Sequence, residues 1–141
     1  MGYDFHITRG TEWFEAESTP ISMEEWLAYV KSDPEMRLDG FAEASVGNDR
    51  VLRCEDPNMA VWTACSGDGV GGNHAWMWLS HGNIEAKNAD AEIIAKMWRI
   101  AQRLQARVVG DEDEEYGANG EEVGKKRSEW TTRFWKRFLR R

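Results

Sequence analysis

The stretch from Asn88 to Arg107 constrains this chain most, because it carries the longest helical repeat. Ile93, Met97, Ile100 and Leu104 recur at the helical period, and Ile94 and Ala101 widen the stripe. Asn88 is the expected N-cap, and Glu92 and Lys96 form an i, i+4 pair. A helix that is apolar along one side must bury that side against another element. The other apolar segments are mostly short and strand-like, so the chain reads as α+β.

A second helix is predicted over Met23–Ser32. Ser22 and Glu25 make a capping box, and Ile21 and Trp26 sit at the positions of a hydrophobic staple. Asp33-Pro34 stops it. "YDFHITR" (Tyr3–Arg9) alternates as a strand, with Tyr3, Phe5 and Ile7 on one face and Asp4, His6 and Thr8 on the other. "FAEASVGNDRVLRC" reads as two short strands around Gly47-Asn48-Asp49. "MAVWTAC" reads as a central strand, "HAWMWLS" and "IEAK" as a pair turning at His81-Gly82-Asn83, and "RVVG" as a last strand. The expected architecture is a sheet of about five strands, antiparallel or mixed, on the helices Met23–Ser32 and Ala89–Arg107. One domain covers residues 1–117. Residues 118–127 read as a flexible linker, and residues 128–141 as a peripheral amphipathic helix.

The 141 residues suffice for one domain with a real core. No apolar run reaches the roughly 18–20 residues of a membrane span. "MGYDFHITRG" lacks the basic and apolar regions of a secretion signal, which points to the cytoplasm. Cys54 and Cys65 are expected as free thiols there. Charge is unevenly divided. Residues 1–124 carry 10 Lys and Arg against 24 Asp and Glu, whereas residues 125–141 carry 8 against Glu129 alone. The body repels nucleic acid, whose binding needs clustered cations, and attracts a basic protein.

Gly67, Gly69 and Gly72 match G-x-G-x-x-G within "SGDGVGGNHAWMWLS". A dinucleotide site needs a helix directly after the glycines, and a strand pattern follows here. A P-loop needs Lys-Ser/Thr, which is absent. The loop reads as a flexible connection between strands, open to partner contact. His6, His74 and His81 do not assemble into a metal set. Asp111, Asp113, Glu115 and Glu122 fit an EF-hand count, but Tyr116 stands where the glycine is required. No nucleophile, base and orienting group can be assembled, so no catalytic residue, cofactor or metal is expected, and an enzyme of unrecognised type ranks last.

"SEWTTRFWKRFLRR" segregates on a helical wheel. Trp130, Phe134, Trp135, Phe138 and Leu139 take one half, and Arg133, Lys136, Arg137, Arg140 and Arg141 the other. Such a helix can lie on an anionic membrane, dock on a partner, or dock on its own domain.

"YDFHITR", "EEWLAYVKSDPEMRLDG", "HGNIEAKNAD" and "IAQRLQARVVGDEDEEYG" together resemble a small bacterial family with Y-D-F-H-I-T-R, D-G-N-I-x-x-K-N-P-D and L-G-A-x-V-Q-G-D-D-G-E-x-Y motifs. The likeness covers residues 3–117 with gaps. Ala89, Gln105 and Glu114 depart from it, standing for a proline and two glycines. The resemblance implies an immunity protein encoded beside a secreted antibacterial toxin. It carries no catalytic residue. With the acidic body, it leads to an expected cytoplasmic inhibitor that occludes its cognate toxin's active site. The expected contacts are Asp68, His74, Asp111, Glu112, Asp113, Glu114 and Glu115, with aromatics near the glycine loop. The alternative is a membrane adaptor recruited to the inner face through Trp130, Arg133, Phe134, Trp135, Lys136, Arg137 and Phe138.

Overall fold

A computed structural model describes residues 3–10, 12–14, 19–45, 47, 49–69 and 74–125. The expected amphipathic helix over 128–141 lies outside the described residues. Among the described residues, ten strands and two helices follow in the order β1 (Asp4–Thr8), α1 (Met23–Ser32), β2 (Met36–Leu38), β3 (Phe41–Ser45), β4 (Val51–Glu55), β5 (Ala60–Trp62), β6 (Ala75–Ser80), β7 (Asn83–Lys87), α2 (Ala91–Leu104), β8 (Arg107–Gly110), β9 (Glu114–Tyr116) and β10 (Glu122–Lys125). Eight strands form one sheet in the order β10-β9-β8-β1-β7-β6-β5-β2, and β3 and β4 form a separate hairpin. All the strand pairs are antiparallel.

The fold is α+β, and richer in strand than the five expected. The missed strands are β2, β9 and β10, each three or four residues long. Their acidic or mixed sequences hide the alternation that marked the others. Residues 122–125, expected in the linker, form the edge strand β10. The segment "MAVWTAC", expected as a central strand, supplies only β5, one place from the sheet's edge.

Both helices serve one core. Phe5, Ile7, Ala60, Trp62, Met77, Ile84, Ala86 and Val108 cluster with Trp26 and Val30 of α1 and with Ile94, Met97, Ile100, Ala101 and Leu104 of α2. The capping box of α1 is present, with Ser22 accepting from the Glu25 backbone and Glu25 from the Ser22 backbone. Ile21 and Trp26, the staple residues, are both buried. The helix α2 begins two residues later than expected. Asp90 is its N-cap, with its side chain accepting from the Ile93 N–H. Asn88 instead turns left-handed (φ 52°) and takes the Tyr3 N–H on its Oδ1 at 3.0 Å. Lys96 is buried between the helices and bonds Asp33 at 2.7 Å and Glu35 at 3.0 Å.

The turn between β9 and β10 presses on the start of α2. Gly120 has φ 76°, and a Cβ there would lie 2.1 Å from the Ala91 carbonyl oxygen. Gly120→Ala therefore combines overpacking, about 1–3 kcal/mol, with a left-handed alanine, about 1–2 kcal/mol. Denaturant unfolding should register a loss in that summed range. A loss below about 0.5 kcal/mol, the size of an ordinary surface substitution, would mean that the turn moves freely off α2.

Candidate functional site

The sheet face away from the helices carries Asp4, His6 and Thr8 of β1, Glu85 and Lys87 of β7, and Trp76 and Trp78 of β6. His6 and Thr8 are nevertheless buried. The ring of Trp13 stacks on His6, with centroids 4.1 Å apart and planes within 6°. His6 Nε2 meets Asp111 Oδ1 at 2.8 Å, and Nδ1 faces Glu85 Oε2 at 3.6 Å, beyond hydrogen-bond length. Asp111 also accepts the Asp4 N–H, and its carbonyl accepts Trp13 Nε1. Trp13, Phe14, Ser80, His81, Asn83 and Glu85 line a shallow recess of about 270 Å³ beside this cluster.

The turn after β8 is organised by Glu114. Its buried carboxylate accepts the hydroxyls of Tyr3 and Tyr116 and the Glu112 N–H. Burial, and then Glu114, push the Tyr3 hydroxyl up to about 12. This packing requires Gly110, since a Cβ there would lie 2.3 Å from Glu114 Oε2. Asp113 is also buried, at φ 67°, and neither carboxylate oxygen has a hydrogen-bond partner.

At the other end of the face, the sheet forks. Strand β6 pairs with β7 only from Trp78–Glu85 to Ser80–Asn83, while Ala75 to Met77 pair with β5. The far halves of β6 and β7 therefore diverge. An apolar groove of about 390 Å³ opens there, lined by Ala75, Trp76, Trp78, Ala86, Lys87 and Ile93, among others. Ala42 and Cys54, cross-strand partners in the β3–β4 hairpin, form its outer wall. All five residues of β4 are exposed, with Leu52 at 63% and Val51 at 56%. Arg53 is held over the Phe41 ring, and Phe41 leans on Trp76. The hairpin is thus an arm with an apolar surface beside an apolar groove.

The glycine loop joins this site at its base. Asp68 Oδ1 lies 2.7 Å from His74 Nδ1, and His74 packs edge-on against Trp76. Glu92, in the first turn of α2, takes both the hydroxyl and the N–H of Ser66. Residues 70–73 lie outside the described residues.

Comparison adds no relative. The chain matches no protein-family model, no curated protein and no solved structure.

The expected contact residues divide in two. Asp68 and His74 meet beside the groove. Asp111 to Glu115 lie in and beside the β8–β9 turn, and only Glu112 among them is fully exposed. Asp113 and Glu114 are buried, at 7% and 6% exposure, so they are unavailable to a partner. The acidic run is therefore not a continuous contact surface, because Tyr3, Tyr116 and Gly110 draw Glu114 inward. Among the described residues no three His, Cys, Asp or Glu side chains gather to hold a metal ion. No described helix is long and apolar enough to cross a membrane. The groove itself was missed. It arises from a change of strand partner in the middle of β6, which leaves no mark in "HAWMWLS".

His6 has a raised pKa. Burial alone would lower it, and the Glu85 and Asp111 carboxylates outweigh burial. The folded state therefore binds the proton more tightly than the unfolded chain. Its contribution to stability is full below the ordinary value of 6.5 and fades as pH rises through the folded value. Between mildly acid and mildly alkaline pH, the wild type should lose stability more steeply than His6→Gln. Identical slopes in pH-dependent denaturant unfolding would show that folding leaves the His6 pKa unchanged, and a wild type that gains stability relative to His6→Gln as pH rises would show that His6 stays neutral in the fold.

Proposed function

We propose that this chain is a binding protein that neutralises a cognate toxin by covering its active site. The groove at the β6–β7 fork, walled by an exposed apolar arm on an acidic body, is the observation that carries this reading. Stable interfaces are anchored by a few large side chains in desolvated pockets, with a polar surround. The groove supplies such a pocket, with Trp76 and Trp78 in its lining, and Leu52 stands exposed on the arm beside it. Asp56 and Asp68 stand around it. The surplus of acids over the first 124 residues speeds encounter with a basic partner.

The mechanism is occlusion. A hydrophobic side chain on the partner's rim enters the fork, the arm closes along it, and the acidic surface sets the orientation. No bond is made or broken by this chain. The family resemblance of the Tyr3–Arg9 and Asp111–Tyr116 segments supports toxin neutralisation as the context, since it implies a toxin gene as neighbour.

Co-expression with the protein encoded beside this gene tests the reading. Growth should be rescued, and the two proteins should co-elute on sizing. Unchanged killing with no complex rejects it. Leu52→Asp is exposed enough to leave folding intact, and it should weaken the complex about 30-fold, the equivalent of a 2 kcal/mol hot spot. An unaltered affinity would move the contact away from the arm.

A further inference from the structure

We infer that residues 126–141 of this same chain dock in the fork groove as an internal ligand, so that a partner must displace them to bind. The inference rests on the groove being the binding site, as proposed above, but not on the identity of the partner. Three observations support it. The first is chemical. The groove is apolar, with Trp76 and Trp78 on one side and the arm on the other. The tail sequence offers Trp130, Phe134, Trp135, Phe138 and Leu139 on one helical half. A helix this short is marginal alone in water, so its aromatic half calls for a surface.

The second is charge. Residues 125–141 carry 8 Lys and Arg against one Glu, opposite in sign to the body. Cations near the groove are already answered. Arg53 meets Glu43 and Glu55, and Arg37 meets Asp39. Lys87 lines the groove with Asp4 opposite it in the β1–β7 register. Asp56, which accepts from Asn58, and Asp68, which meets His74 through one oxygen, are acids beside the groove that face no Lys or Arg within salt-bridge distance among the described residues, and they can receive arginines from the tail.

The third is reach. Strand β10 ends at Lys125 on the sheet's edge, five places from β6. At about 4.8 Å per strand that is roughly 24 Å. Four extended residues cover about 13 Å, and a ten-residue helix covers about 15 Å. The tail can therefore lie across the sheet with its aromatic residues at the fork.

Cys54 in the groove wall provides a reporter, because it is exposed and free. In the full chain carrying Cys65→Ser, maleimide should label Cys54 slowly. Adding Trp135→Ser with Phe138→Ser should raise the rate about tenfold, which corresponds to docking worth a factor of ten. Salt at about 1 M, where screening reaches about 3 Å, should move the unaltered tail toward the same rate. Equal rates with either tail would overturn the inference. So would protection that grows with protein concentration, which assigns the groove to a second copy. Flotation with phosphatidylglycerol vesicles, together with equal rates in their absence, would assign the tail to lipid and overturn it too. None of these readouts involves the toxin, so failure here and failure of co-expression are distinguishable.

Discussion

A single guanidinium, that of Arg9, joins the central strand to both helices. Its Nε donates to the Leu104 carbonyl at the end of α2 at 2.8 Å. Its terminal nitrogens meet the Glu25 carboxylate at 3.0 and 2.5 Å, and one also reaches the Pro20 carbonyl. Glu25 is at the same time the closing residue of the α1 capping box. Arg9, and then the Ser22 N–H, hold the Glu25 carboxyl down to about 2. A planar fork with five donors is suited to this arrangement, and an ammonium group cannot reproduce it. Because β1 sits between β7 and β8, the helices fixed by Arg9 are fixed relative to the whole sheet.

With both helices committed to the Phe5–Ile7 side, the opposite face has no helix among the described residues to cover it. The chain covers part of it with a loop, placing Trp13 over His6. Polar residues on that face must then be satisfied locally, which is what Asp111 does for His6 and for the Asp4 N–H. The other part of the face is left to the fork and the arm. A two-stranded hairpin gains little stability by itself, and β3–β4 is braced mainly at its root, where Asp56 N–H meets the Gly40 carbonyl and Gly40 N–H the Met59 carbonyl.

How much of this could be read from the sequence follows from how local each cause is. The capping box of α1, the stripe of α2 and the alternation of β1 are set by neighbours within a few residues, and all three stand where the pattern placed them. The start of α2 moved because Asn88 was needed by Tyr3, a partner 85 positions away. The burial of Glu114 rests on Tyr3 as well, 111 positions distant, and on the bare Cα of Gly110. An acidic run looks solvated until the two tyrosines that receive it are known. Asp68 and His74 are six residues apart and both belong to the expected contacts, yet no local pattern signals that they pair. The fork has the least sequence signature of all, because nothing in "AWMWLS" marks the step between Met77 and Trp78 at which the pairing passes from β5 to β7.

The charge pattern connects stability to function. In the described part of the chain, Arg9, Arg37, Arg53, Lys96 and Arg107 each face a carboxylate. The exposed ones among them, those of Arg37 and Arg53, contribute little to stability. What they do is neutralise the cations, so the long-range field of the body is set by the unmatched acids. That surplus works against compactness through self-repulsion, and nothing in the core requires it. A surface that repels itself, and that keeps tryptophans and an apolar arm half-open to water, is costly for a fold with no occupant for its groove. Both costs fall when a cationic, aromatic segment lies there, whether it comes from another protein or from the basic end of this chain.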